Sequence, residues 1–124
     1  NITIVGDTDI NMGIFYENGN IIFRVGNNEI EYTASDTEAI YIVALFQSKS
    51  ISLYINGSLV DSASIDQYQF SNTTIDFKTG PADGKFVIDS VGFYKFNLSD
   101  DQISNHYIQG IKEINSSELT YANF

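Results

Sequence analysis

The sequence predicts an all-β protein, an antiparallel β-sandwich with one short helix near the C-terminus. Gly, Asn and Asp divide the 124 residues into short apolar runs at nearly regular intervals, which is typical of sandwiches and barrels. Eight tyrosines and nine phenylalanines favour strands, because aromatic side chains fit a pleated surface. Asn-Gly dipeptides between alternating segments indicate tight hairpins, since both residue types tolerate positive φ.

The first predicted elements are a strand over residues 2–5 and a hairpin formed by residues 13–17 and 20–25. Asn18-Gly19 supplies the turn of this hairpin. Residues 39–46 are apolar on both faces and therefore predict a central strand that is covered from two sides.

Residues 50–56 predict a second hairpin strand, because apolar and other side chains alternate and the run ends at Asn56-Gly57. One face is expected to be buried and the other wetter: Ile51, Leu53 and Ile55 against Ser52 and Tyr54.

The C-terminal half predicts a short strand over residues 74–78, an exposed loop over 79–85 and a long strand over 86–96. Ser99 and Gln102 have the spacing of a capping box, so a helix is expected to begin there. We expect about two turns, ending near Gly110, followed by a tail over residues 111–124.

Length and charge limit the organisation and the partners. We expect one domain over residues 1–124, as a segment of a longer chain because the sequence begins at Asn1. Sixteen acidic against six basic residues give a net charge of −10, which disfavours nucleic acid and anionic membrane surfaces as partners. No apolar run is long enough to span a bilayer, and the absence of cysteine excludes disulfides and thiolate chemistry.

Two segments carry a resemblance to a known family. IYIVALFQSKSISLYINGSLV, residues 40–60, resembles a pattern of laminin-G-like domains in the concanavalin A-like lectin and glucanase superfamily. FVIDSVGFYKFNLSDDQISNHYIQG, residues 86–110, is similar to the closing signature of the same family. Ile40 and Ile42 depart from it, because they stand where members often carry Trp and His. The resemblance implies a jelly-roll sandwich, a fold shared by lectins, adhesion modules, virion and tail-fibre modules, and glycoside hydrolases.

Catalytic candidates are weak, and we expect no enzyme. Glu29 and Glu31 are the best carboxyl pair for glycoside hydrolysis, because residues two apart on a strand share a face. The third acid that the family's hydrolases place on one strand is missing, so a solvated edge strand is the preferred interpretation. His106, the only histidine, is expected on the helix surface, and Asp89 is expected to be structural.

Ligand binding has a better candidate in an aromatic platform beside polar groups. Five tyrosines are candidates for such a platform: Tyr16, Tyr32, Tyr41, Tyr54 and Tyr68. Tyr54 is preferred, with Ser52 and Asn56, because its neighbours at two-residue spacing are polar and predict an exposed ring. A tyrosine on a sheet face more often packs than serves as a platform, so packing is the commoner role for such a ring.

Metal binding has one candidate, in the segment Asp7, Asp9 and Asn11. Alternate oxygen ligands there are compatible with a calcium site at the rim of the sandwich, while an EF-hand is excluded because no Glu closes the loop. A simple Asp/Asn turn is the alternative and the preferred interpretation. No other cofactor is expected.

The preferred functional hypothesis is a non-catalytic recognition or adhesion module that binds a glycan or a protein. It would belong to a larger extracellular surface or virion protein. The alternative is a structural assembly or decoration module of a phage virion or surface array, packing against copies of itself or neighbouring modules. A glycoside hydrolase ranks third.

Overall fold

The computed structural model describes residues 2–34, 39–47, 49–66, 78–80 and 98–117. Eight strands and one helix lie in these residues: β1 Ile2–Asp7, β2 Met12–Glu17, β3 Asn20–Val25, β4 Asn28–Thr33, β5 Ile42–Gln47, β6 Ser50–Ile55, β7 Ser58–Ser64, β8 Lys78–Gly80 and α1 Asp100–Ser117. All strand pairs described are antiparallel. The predicted all-β, antiparallel class is therefore confirmed.

The first sheet has five strands in the order β4-β3-β2-β1-β8. Its predicted hairpin is confirmed: Glu17 lies opposite Asn20, and the intervening Asn18 and Gly19 have φ values of 52° and 83°. Two positive φ values in a two-residue loop match the turn whose twist suits a β-hairpin.

Two glycines allow β1 and β2 to approach closely. Gly6 lies opposite Gly13, and a Cβ atom added to Gly13 would lie 2.4 Å from the Gly6 Cα atom. Gly13 also has a φ of 148°, which side-chain-bearing residues rarely adopt. Only glycine therefore fits at this point of the sheet.

The second sheet has the order β5-β6-β7, with Asn56-Gly57 as the turn between β6 and β7. The expected coverage of β5 on both faces is confirmed, because Val43 packs in one apolar cluster and Ala44 and Phe46 pack against another. The prediction that β5 is a central strand is not confirmed, because β6 is the middle strand of this sheet among the strands described.

The main core lies between the two sheets. Ile51 and Leu53 of β6 are fully buried, and they pack in one cluster with Ile21, Phe23 and Val25 of β3. The predicted inward face of β6 is thus correct. The described part of the chain forms a sandwich-like arrangement of two antiparallel sheets.

Helix α1 covers the face of the second sheet that is turned away from the first. A smaller cluster joins helix to sheet: Val43, Tyr54, Leu98 and Ile103. The predicted capping box is present, because the Gln102 amide donates to Ser99 Oγ at 3.2 Å and the Ser99 amide donates to Gln102 Oε1 at 2.9 Å.

The predicted end of the helix is wrong. The helix continues through Gly110 to Ser117, so residues 111–117 of the predicted tail are helical. Gly110 is not in the left-handed conformation that a terminating glycine adopts. Glycine inside a helix costs about 1 kcal/mol relative to alanine, which is too little to end a helix without a further stop signal.

Several predictions lie wholly or partly outside the described residues. They include the strand over 86–96 with Asp89, most of the short strand over 74–78, and most of the loop over 79–85. Strand β8 pairs with β1 and includes Thr79 and Gly80, so the loop cannot begin at residue 79 as predicted. In the described part of the chain, no helix is long and apolar enough to cross a membrane.

Candidate functional site

Tyr54 faces helix α1 and is buried, with 9% of its surface exposed. Its hydroxyl donates a hydrogen bond of 2.6 Å to Asp100 Oδ1 in the first helical turn. The predicted exposure of the ring is wrong, because the polar neighbours at two-residue spacing gave no sign of the helix that covers this face. In this conformation Tyr54 joins sheet and helix and offers no open ring for stacking.

The environment of Tyr54 raises the pKa of its phenol. The hydrogen bond to Asp100 is the largest cause, followed by desolvation and by the negative charge of the Asp100 carboxylate. All three favour the neutral phenol, since a phenolate would be buried beside another anion and would lose its donor proton.

Asn56 positions the start of the neighbouring strand. Its backbone amide donates to the Tyr41 carbonyl at 2.8 Å, and its Oδ1 accepts from the Tyr41 amide at 2.9 Å. Its φ of 52° is the left-handed conformation that asparagine tolerates. The turn residue predicted as a ligand contact thus fixes Tyr41 just before β5.

Tyr41 in turn stacks on Tyr107 of helix α1. The ring centroids are 6.3 Å apart and the ring planes differ by 16°. Gly57 lies against the same ring: a Cβ atom there would be 3.3 Å from Tyr107 Cδ2. We call this group, Tyr41, Tyr107, Asn56 and Gly57, the tyrosine surface.

The tyrosine surface was only partly foreseen. Asn56 was a predicted contact and Tyr41 was among the tyrosines considered, whereas Tyr107 was not proposed for binding. The sequence does indicate that Tyr107 faces the sheet, because Tyr107 lies four residues after the buried Ile103 and so shares its helix face. Ser52 shares the sheet face of Tyr54, and its partners on the neighbouring strands are Leu45 and Ser62.

The segment from Asp7 to Asn11 forms a turn. Asp7 Oδ1 accepts a hydrogen bond of 3.0 Å from the Asp9 amide, and Asn11 Nδ2 donates to the Gly26 carbonyl. This bonding matches the Asp/Asn-turn alternative. Across the residues described, no three or more His, Cys, Asp or Glu side chains are grouped so as to hold a metal ion.

Glu29 and Glu31 lie on β4, which is an edge strand of the first sheet among the strands described, as expected. Glu29 pairs with Arg24 at 2.9 Å, and Arg24 also pairs with Glu17 at 3.0 Å and lies 5.0 Å from the centre of the Phe15 ring. Desolvation lowers the Arg24 pKa, but hydrogen bonds to Glu29 and Glu17 and their charges outweigh it, so the pKa is raised overall.

The remaining candidates for catalysis, Glu31 and His106, lie on different elements of the structure, β4 and α1. Glu31 is exposed, and its backbone amide donates to Asp61 Oδ2 at 3.2 Å, linking β4 to β7. His106 lies exposed on helix α1, as predicted. These groups therefore do not converge on one reaction centre.

Comparison with protein-family models, with curated proteins and with solved structures finds no match to this chain.

Proposed function

We propose that this chain is a non-catalytic recognition module with a concanavalin A-like, laminin-G-like jelly roll. In this proposal it belongs to a larger protein of the cell exterior or of a virion, and the tyrosine surface contacts a glycan or a protein. The observation that carries the proposal is the stacked pair Tyr41 and Tyr107 beside Asn56.

The chemistry of this surface suits recognition. Both tyrosines are partly exposed, and each combines an apolar ring with a polar hydroxyl. The Asn56 Oδ1 atom is engaged by Tyr41, while its Nδ2 group makes no hydrogen bond within the described part of the chain. An amide donor beside two rings is a combination that suits a hydroxyl-bearing ligand.

The surface is also fixed in place. The Asn56-Gly57 turn packs against Tyr107, two hydrogen bonds hold Tyr41, and the Tyr54 hydroxyl holds the first turn of α1. A rigid contact surface loses little conformational entropy on binding, so more of the contact energy appears as affinity.

The absence of catalysis is part of the proposal. A general acid for glycoside hydrolysis is kept protonated by an apolar pocket or a second carboxylate. Glu29 instead has a side chain that is 50% exposed and paired with Arg24, and Glu31 is exposed on the same edge strand. The net charge of −10 further favours uncharged ligands or basic protein surfaces.

Binding to a glycan array and to intact cells tests the proposal, with Tyr107→Ala as the informative variant and Ile108→Ala as its exposed neighbour control. We expect Tyr107→Ala to weaken binding by about 1 kcal/mol or more. A triple variant removes the carboxyl pair together with Asp36, the next acidic residue in the sequence after Glu31. This variant, Glu29→Gln, Glu31→Gln, Asp36→Asn, should bind nearly as the parent does. Cleavage of a polysaccharide that the triple variant loses would overturn the proposal, as would equal binding by the parent chain and Tyr107→Ala.

A structural assembly module remains the second candidate, because three large apolar side chains among the described residues are exposed. Leu59 is 53% exposed, Val60 37% and Ile108 48%. Such side chains suit packing against copies of the chain or neighbouring modules. Light scattering distinguishes the two functions: assembly predicts an oligomer that Leu59→Ser weakens, whereas recognition predicts a monomer that still binds its ligand.

A further inference from the structure

The two Asn-Gly turns have nearly the same backbone conformation and different surroundings. Asn18 and Gly19 have φ values of 52° and 83°, and Asn56 and Gly57 have values of 52° and 85°. Each pair closes a two-residue antiparallel hairpin. Any difference in their chemistry must therefore come from the groups around each turn.

The first turn is open. The Asn18 side chain is exposed, and a Cβ atom built on Gly19 would meet no atom within 4 Å. From the described residues outside the hairpin, one backbone hydrogen bond reaches the turn, from the Ala34 amide to the Gly19 carbonyl at 2.9 Å. That bond leaves the carboxamide of Asn18 able to rotate.

The second turn is partly buried, and neighbouring groups hold it. Asn56 Oδ1 is held by the Tyr41 amide, and the Asn56 amide is held by the Tyr41 carbonyl. Gly57 packs against the Tyr107 ring and lies near the Ser104 Cα atom of the helix. Moving the Asn56 carboxamide requires breaking its hydrogen bond with the Tyr41 amide, and the Tyr107 ring leaves little room for the Gly57 backbone to move.

We propose that Asn18 is a site of spontaneous succinimide formation and deamidation, and that the folded structure protects Asn56 from the same reaction. The Gly19 nitrogen attacks Asn18 Cγ, forming a ring bond as the Cγ–Nδ2 bond breaks. Nδ2 leaves as ammonia with the proton from the Gly19 amide. Water then opens the ring at either carbonyl, giving aspartate or isoaspartate.

The products change the first hairpin. Both add a carboxylate beside Glu17, which already pairs with Arg24. Isoaspartate also lengthens the backbone by one methylene within a two-residue turn, which is incompatible with the pairing of Glu17 and Asn20. The modification therefore weakens the β2–β3 hairpin, whose Phe23 and Ile21 belong to the main core.

Peptide mapping by mass spectrometry tests this inference, after incubation of the folded chain in mildly alkaline buffer. We expect Asn18 to be modified at least about tenfold faster than Asn56, which corresponds to about 1.4 kcal/mol more free energy for opening the second turn. In denaturant the two rates should become similar, because glycine follows both asparagines and the folded contacts are gone.

The variant Asn18→Gly is the matched control, because glycine keeps the positive φ of the turn and removes the carboxamide. It should fold as the parent does and lose the early deamidation product. Similar rates at the two sites in the folded chain would overturn the inference. So would faster modification of Asn56, or an unmodified Asn18 in folded chain under conditions that modify it in denaturant.

Discussion

The Tyr54 hydroxyl joins two elements that are distant in sequence, strand β6 and the first turn of α1. Its bond to Asp100 is short and its acceptor is a carboxylate, which makes it stronger than a bond between neutral groups. The ring itself packs with Val43, Leu98 and Ile103. One residue thus combines apolar packing with a polar link to the helix.

Tyr54→Phe should lower the free energy of unfolding by about 1 to 2 kcal/mol, because it removes this bond and keeps the ring. Urea denaturation at neutral pH measures the loss. Tyr32→Phe is the matched control, since Tyr32 packs at the edge of the main core on another sheet. An unchanged midpoint for Tyr54→Phe would contradict the assigned bond.

The raised pKa of Tyr54 also predicts a pH dependence. Below about pH 10, the ordinary pKa of tyrosine, the Tyr54 phenol is neutral in both the folded and the unfolded chain. The stabilisation that comes from its hydrogen bond to Asp100 is therefore fully present below that pH. Above that pH the unfolded chain ionises first, and the stabilisation is lost as pH rises through the raised folded pKa. Above about pH 10, the free energy of unfolding of the parent chain should therefore fall more steeply with pH than that of Tyr54→Phe.

Calcium should have no effect on the melting temperature at millimolar concentration. The Asp7 and Asn11 side chains already form hydrogen bonds within and beside their own turn. A ligand that binds the native state would raise the melting temperature. Thermal unfolding with and without calcium checks this, and a rise that Asp9→Ala abolishes would instead support the rim calcium site.

At the scale of elements, Gly110 distinguishes a continuous helix from a short one. Gly110→Ala should raise stability by about 0.5 to 1 kcal/mol, because alanine is the better helix former and the added Cβ meets no atom within 4 Å. A helix that ended at Gly110 in the left-handed conformation would instead be destabilised by the same change. Thermal unfolding of the variant decides between the two.

Local signals explain which elements were predictable. The hairpin at Asn18-Gly19 and the helix start at Ser99 depend on residues within a few positions of each other, so the sequence specifies them directly. The continuation of the helix beyond Gly110 was missed because Gly110 is ambiguous, since glycine occurs both inside helices and after them.

The tyrosine surface depends on contacts between distant segments, so only parts of it were predictable. Asn56 was identified from its turn, but its bond to Tyr41 requires the pairing of β5 with β6. Tyr107 reaches the same place only because α1 packs on the second sheet. Tyr54 was predicted to be exposed for the same reason, because nothing near it in sequence indicates the covering helix.

At the scale of the whole molecule, the core between the two sheets should dominate stability. Leu53→Ala should cost about 2 to 4 kcal/mol, because the side chain is fully buried and the substitution leaves a cavity. Leu59→Ala on the neighbouring strand should cost far less, since Leu59 is 53% exposed. Similar losses at both positions in chemical denaturation would mean that the assignment of the core is wrong.

We propose that the molecule recognises a ligand through the tyrosine surface without catalysing a reaction. Backbone-amide NMR on the labelled chain tests it most directly, with the strongest ligand from the glycan array or cell-binding panel as the titrant. We predict that shift changes centre on Tyr41, Asn56, Gly57 and Tyr107, with the ligand recovered intact. Changes centred on the Asp7 to Asn11 turn or on Glu29 and Glu31, or a ligand that is cleaved, would contradict the account.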